Sequence, residues 1–221
     1  MDHVTRSDAG FGRLARWYRA LEMIAFGRDL ERARFAFIDR VRDCREILLL
    51  GEGDGRCAER VAALAPLANI LCVDSSAGMV ACARRRLQGT PAADRVRFIC
   101  ADIGDFEPEP QRFDAVCTLF FLDCFETERV ARIVGRVGRG LRPGAPWLFA
   151  DFVLPERGYD RLRARAWLGL LYAFFRWQTG LSVRRLPASE AVLMEAGWRP
   201  VRTLTLQRGM LRTAVLERPG A

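Results

Sequence analysis

The apolar run Glu46-Ile47-Leu48-Leu49-Leu50 leads straight into Gly51-Glu52-Gly53-Asp54-Gly55. Five residues are too few for a buried helix and suit a strand covered on both faces, as in a parallel sheet. Glycines at alternate positions permit a tight turn and let backbone N–H groups approach a ligand closely. The helical stretch that follows, from Gly55 to about Leu64 and ended by Pro66, turns its N-terminus toward whatever the loop holds.

The same rhythm continues along the chain. Ile70 to Val73, Val96 to Cys100, Phe113 to Leu119 and Pro146 to Phe152 read as strands. Ala77 to Leu87 and about Glu126 to Arg139 read as helices between them. This alternation predicts an α/β fold with a doubly wound sheet. The end of the chain differs. A short helix from Ala188 to Ala196 is closed by Gly197, and Val201 to Leu206 and Leu211 to Leu216 flank Gln207-Arg208-Gly209 as a hairpin. A length of 221 residues suits one generous domain spanning 1–221. Two helices are expected within residues 1–42 as an N-terminal cap, broken at Gly27, the second carrying Leu30, Arg34, Phe37, Ile38 and Val41. A helical insertion is expected over 155–187.

Composition removes several chemistries. All 35 basic residues are arginine, so Schiff-base, phosphate-loop and pyridoxal lysines are excluded. The only histidine is His3, which excludes internal Ser-His-Asp triads and histidine-rich metal sites. Seven cysteines show no CxxC spacing, so no metal site is expected. Most lie in apolar runs, where a thiol acts as a small hydrophobe. Their odd number, with no apolar core in Met1 to Gly10, points to a reducing cytoplasm. The net charge of +8 invites nucleic acid or an anionic membrane. The arginines are spread along the whole chain rather than in one block, which favours general replacement of lysine by arginine.

The glycine loop lacks the GK[ST] of nucleotide triphosphatases and the GxGxxG of dinucleotide enzymes. Asp74 follows the second strand about 20 residues on, where a carboxylate accepts both hydroxyls of a ribose; the alternative is a cap for the helix starting at Ser75-Ser76. Asp102 and Ile103 follow the third strand. A carboxylate there suits the exocyclic amine of adenine, with Ile103 and Met79 against the ring, unless Asp102 is a plain loop residue.

ILLLGEGDGR at 47–56, CVDSSAGM at 72–79, FICADI at 98–103 and FDAVCTLFFLDCF at 113–125 together resemble the class I S-adenosylmethionine-dependent methyltransferases. The resemblance implies seven strands in the order 3-2-1-4-5-7-6 with strand 7 antiparallel, and S-adenosylmethionine as methyl donor. It implies Gly51, Gly53 and Gly55 at the methionine moiety, Asp74 at the ribose, and Asp102 with Ile103 at the adenine, with Ser75, Met79 and Leu119 beside them. The family commonly has an acidic residue two positions before the first glycine; here that residue is Leu49, and Glu52 is the substitute for anchoring the methionine amine. FGRLARWYRALEMIAFG is similar to the opening of quinone and small-molecule methyltransferases, which brings Tyr18 toward the cofactor, although Phe11-Gly12 replaces the usual YD pair.

The acceptor belongs beyond the carboxyl ends of the strands. Phe120, Phe121 and Phe125 after strand four suggest an apolar acceptor site, or plain core. Asp123 and Asp151 are the carboxylates expected near the transferred methyl, as general bases; Asp123 is alternatively a cap for the helix near Glu126. In the insertion, Trp167, Leu170, Leu171, Phe174 and Phe175 recur at helical spacing among arginines. They fit a lid, an interfacial helix on an anionic membrane, or an ordinary packed helix. The leading expectation is a methyltransferase for a small, apolar or lipid-like acceptor. Absence of [DN]PP[YFW] argues against nucleic-acid bases. An RNA methyltransferase and a non-catalytic S-adenosylmethionine-binding protein are the alternatives, and a nicotinamide oxidoreductase is disfavoured by GxGxG and the terminal hairpin.

Overall fold

The structure, a computed structural model, describes residues 27–155, 158–179 and 186–219, with main chain alone for 170–179. Tyr18 and the first expected helix lie outside the described residues, and so do the side chains of Phe174 and Phe175.

Seven strands form one sheet in the order β3-β2-β1-β4-β5-β7-β6. They are β1 (Glu46–Leu50), β2 (Asn69–Asp74), β3 (Val96–Cys100), β4 (Ala115–Leu119), β5 (Trp147–Phe152), β6 (Arg199–Leu206) and β7 (Leu211–Glu217). β1 to β5 run parallel, and β7 pairs antiparallel with both β5 and β6. The expected order and the direction of β7 are therefore both present. β1 lies between β2 and β4, which is why EILLL is a continuous apolar run: Ile47 to Leu50 are all buried. β6, at an edge, has no fully buried residue and carries Arg199 and Arg202, features that discourage pairing with another sheet.

Helices cover both faces. On one face, α2 (Arg56–Leu64) and α3 (Ala77–Leu87) join Ile47, Leu49, Ile70, Cys72 and Cys117 in one core cluster. On the other, α4 (Thr127–Arg139) buries Val130, Ile133, Val134 and Val137 at helical spacing against Leu48, Val116 and Phe149. A third cluster joins α1 (Asp29–Phe35), α5 (Gly158–Thr179) and the β5–β7 side through Leu30, Ala33, Phe152, Ala164, Leu168 and Met210. α6 (Ser189–Glu195) precedes β6.

Several boundaries shift by one or two residues, and two of the differences have a clear physical reason. The second N-terminal helix does not continue to Val41: α1 stops at Phe35, Phe37 takes φ −125° and ψ 20°, and Ile38–Val41 forms a 3-10 turn. Leu30 and Ala33 serve the third cluster, whereas Ile38 and Val41 serve the cluster under α2. One straight helix cannot reach both. The fourth strand starts at Ala115 instead of Phe113. Phe113 makes only an isolated bridge to Leu141, and Asp114 turns its carboxylate to the N–H groups of Arg45 and Glu46 at 2.8 and 2.9 Å.

Within the insertion, Gly158–Thr179 is helical, as the spacing predicts. In its described half Ala164 and Leu168 are buried and Trp167 is half-buried, while Tyr159 and Leu162 are exposed. No helix among the described residues is long and apolar enough to cross a membrane.

Candidate functional site

Strand order reverses between β1 and β4, so a crevice opens at their carboxyl ends. The glycine loop fills its floor. Gly51, Gly53 and Gly55 all have positive φ, at 68°, 68° and 90°. Two of them are also sterically required. A Cβ on Gly51 would lie 2.1 Å from the Phe121 ring, and one on Gly55 2.8 Å from the Ala83 main chain. Gly53 meets no atom within 4 Å, so its outer side is open.

Asp74 ties this loop to the end of β2. Its Oδ2 accepts the Gly53 N–H at 2.9 Å and its Oδ1 accepts the Ser76 N–H at 2.8 Å. A carboxylate has about four acceptor positions, so each oxygen keeps capacity for one hydroxyl. The cap of α3 is Ser76, whose Oγ accepts the Met79 N–H at 3.3 Å. Capping and a ligand contact at Asp74 are thus not exclusive. Ser75 beside it is exposed.

Asp54 braces the loop from behind. Arg56 Nε lies 3.0 Å from its Oδ1 and Arg86 Nη2 3.3 Å from its Oδ2, and Arg86 Nε donates to the Asp54 carbonyl at 2.9 Å. Burial works against the Asp54 charge, but these two guanidiniums hold its carboxyl below the usual carboxylate range.

Glu52, expected at the methionine amine, lines the pocket and also makes a contact within the chain. Its Oε1 accepts the Ala58 N–H at 2.8 Å and so caps α2, whose own N-cap, Gly55, has no side chain to do so. Burial pushes the Glu52 carboxyl up to about 8; the Ala58 N–H and Arg34 offset this only in part. The folded state therefore holds a proton that the unfolded chain releases near pH 4.5. Its stabilising effect is complete below that pH and is lost as pH rises through about 8. We expect Glu52→Gln to flatten this decline, because the amide still accepts the Ala58 N–H and needs no proton. Thermal melts from pH 5 to 8 would show the variant gaining on the wild type with rising pH; a gain of about 1 kcal/mol reads as about 2–4 °C in a chain of this size. Parallel melting curves would contradict the buried-acid assignment.

The pocket above the loop is lined by Gly51, Glu52, Gly53, Met79, Leu119, Phe120 and Arg34. Arg34 was legible only as an oddity: it is a charged residue at an apolar position of its helix. Its guanidinium lies 5.5 Å from the centre of the Phe120 ring, and its buried Nε has no hydrogen-bond partner. Leu49, which stands where relatives are expected to have an acid, is buried.

Asp102 and Ile103 lie at the adenine side of the expected site. Asp102 Oδ1 takes the Arg129 guanidinium and the Gly104 N–H; the Arg129 contact, then the Gly104 N–H, holds the carboxyl below its usual range. Arg129 also covers the Phe125 ring at 4.9 Å. Ile103 is buried in the core cluster under α4, so its side chain supports the site from below.

The two expected bases come together. Asp123, in the 3-10 turn Leu122–Cys124, and Asp151, on β5, are both buried. Burial first, then the Asp123 carboxyl beside it, drive Asp151 well above the usual carboxylate range. Ser189 at the start of α6 is the third member of this group; sequence reading missed it, having no local signal for a contact 38 residues away. Neither Asp151 oxygen has a well-aligned donor, so the neutral acid is the form this site tolerates.

Residues 47–144 match a family described as "Methyltransferase domain". The chain is similar to a demethylmenaquinone methyltransferase from Clavibacter sepedonicus, 34% identical over 119 residues, covering 52% of this chain and 46% of that one. It is also similar to an acetylserotonin O-methyltransferase from Rattus norvegicus, 30% identical over 120 residues, covering 54% of this chain and 27% of the relative. The chain thus spans less than half the length of these curated relatives. A solved S-adenosylmethionine-dependent methyltransferase from Mesorhizobium loti shares the fold, with a TM-score of 0.64 and 19% identity over 86% of this chain and 100% of that one. The glycine loop, the strand order and the sequence matches agree: residues 47–144 lie in a methyltransferase domain with the sheet order of the class I S-adenosylmethionine-dependent enzymes.

Proposed function

We propose that the protein transfers a methyl group from S-adenosylmethionine to a small, apolar acceptor. The observation that carries this reading is the Asp74 carboxylate, held by Gly53 and Ser76 at the edge of an open glycine loop. The residues present fit the cofactor. The outer side of Gly53 is free for backbone approach, Asp74 retains acceptor capacity for the ribose, and Met79 and Leu119 line the same pocket. Asp102 with Ser75 belongs at the adenine end, its carboxylate kept ionised by Arg129. When bound, the cofactor supplies an electrophilic methyl group on a sulfonium, which needs positioning and desolvation more than acid–base help.

Support for a small-molecule acceptor comes from the relatives, which are named for demethylmenaquinone and acetylserotonin. Support for apolar character comes from Phe120 in the pocket, packed on Phe152 at 5.1 Å. Phe121 and Phe125 instead pack edge to face at 4.9 Å against the core. In this reading Asp123 is the proton acceptor and Asp151 stays protonated, donating to it and keeping it oriented. The chain acts as one domain, with α1 in the cap and α5 as the lid over the acceptor.

Incubating the protein with S-adenosylmethionine and a panel of phenols, quinols and enolisable carbonyl compounds tests this. The expected result is S-adenosylhomocysteine together with a product heavier by one methylene. Cofactor binding with no turnover on any acceptor would favour the non-catalytic alternative.

A further inference from the structure

The methionine end of the pocket has an unexpected charge. The acid that would meet an ammonium is missing from β1, since Leu49 stands there, buried. The loop acid Glu52 directs Oε1 to the Ala58 N–H at 2.8 Å and caps α2. Asp54, which also lines the pocket, is paired with Arg56; the charged group that α1 adds to the lining is Arg34, close to Glu52, whose carboxyl burial pushes toward its neutral form. The Arg34 Nε is buried and without a hydrogen-bond partner. Among the described residues its ring contact is with Phe120, which lines the same pocket. A guanidinium with a free buried N–H is costly unless an anion completes it, and its planar fork matches a carboxylate.

We infer that Arg34 binds the carboxylate of the methionine moiety, and that this protein recognises that end of its cofactor through the carboxylate rather than through the ammonium group. This rests on the cofactor reading above. Arg34 is then a specificity-determining residue: it separates S-adenosylmethionine from analogues that keep the sulfonium and the amine but lack the acid. α1 becomes part of the binding site as well as a packing element, because Leu30 and Ala33 anchor the helix in the third cluster while Arg34 projects from it into the pocket.

The test is calorimetric titration of the full chain with S-adenosylmethionine and with decarboxylated S-adenosylmethionine, which differ only in the carboxylate. In the wild type the decarboxylated form should bind about 10- to 100-fold more weakly, the range for charge-assisted hydrogen bonds. Arg34→Ala should weaken S-adenosylmethionine by a similar factor and leave the decarboxylated form within about threefold, the signature of a lost pairwise contact. Arg34→Lys should fall between, keeping the charge without the fork. Glu52→Gln should keep S-adenosylmethionine affinity within about threefold of wild type, since the neutral group already fills that role. Equal weakening of both compounds in Arg34→Ala, or none, overturns the inference, and melting curves identify a variant that has merely lost its fold. A large loss confined to Glu52→Gln would return the contact to the ammonium. Failure of the wild type to bind either compound would instead remove the cofactor reading itself.

Discussion

Replacing Asp74 by alanine is expected to weaken S-adenosylhomocysteine binding by about 100-fold or more, roughly 3 kcal/mol. Two losses add. The ribose hydroxyls lose their acceptor, and the N–H groups of Gly53 and Ser76 lose the oxygens that fix the loop against β2. The second loss distinguishes this carboxylate from a simple ligand contact, because the loop itself relaxes. Asp74→Asn separates the terms. Its one amide oxygen can still serve one of the two N–H groups, so it should lie between wild type and alanine. Isothermal calorimetry reads both variants. Wild-type affinity in Asp74→Ala would mean that the loop holds its shape alone and that the ribose is bound elsewhere.

The second large effect concerns the buried carboxyl pair. With S-adenosylmethionine and a hydroxylic acceptor, Asp123→Asn is expected to slow turnover about 100-fold or more while cofactor affinity stays near wild type. Asp151→Asn should cost far less, because an amide reproduces the neutral donor that Asp151 already is. The pH dependence has a definite sign. Asp151 is raised by burial and by Asp123, so the native state binds a proton there that the unfolded chain has released. That contribution is full below the unfolded value of 3.8 and is lost as pH rises through the raised value. Asp151→Asn should therefore gain stability over the wild type in alkaline buffer. Steady-state kinetics and melts of the two variants check both statements. Equal kinetic losses would make the pair structural, and catalysis would then rest on positioning alone.

Most of the sheet was legible because its strands are short apolar runs punctuated by glycine and proline. EILLL and VRFIC have in the structure the bounds their residues suggest. The order of the strands was not in those runs; it was implied only by the family resemblance that the four motifs carry together. Helix ends were harder where one stretch serves two clusters. Leu30 to Val41 keeps helical spacing throughout, yet the break at Phe37 is set by what each half packs on.

The candidate site was legible in its loop and less so in its side chains. Gly51, Gly53 and Asp74 announce themselves by position after a strand. Glu52 does not: whether it faces a ligand or caps α2 depends on an N–H six residues on that local spacing leaves open. Arg34, Ser189 and Arg129 enter from distant segments. Of these only Arg34 carried a hint, as a charge on an apolar helix face. Asp123 and Asp151 were separate candidates in the sequence, and only the pairing of β4 with β5 makes them one buried group.

The crevice above Gly51-Glu52-Gly53 is expected to take an adenosyl sulfonium cofactor. Calorimetric titration of the wild-type chain with S-adenosylhomocysteine and, separately, with NADH tests it most directly. One site for S-adenosylhomocysteine is expected, with a dissociation constant of about 1 μM or tighter, near −8 kcal/mol, and no heat with NADH. Binding of NADH, with none of S-adenosylhomocysteine, would contradict it.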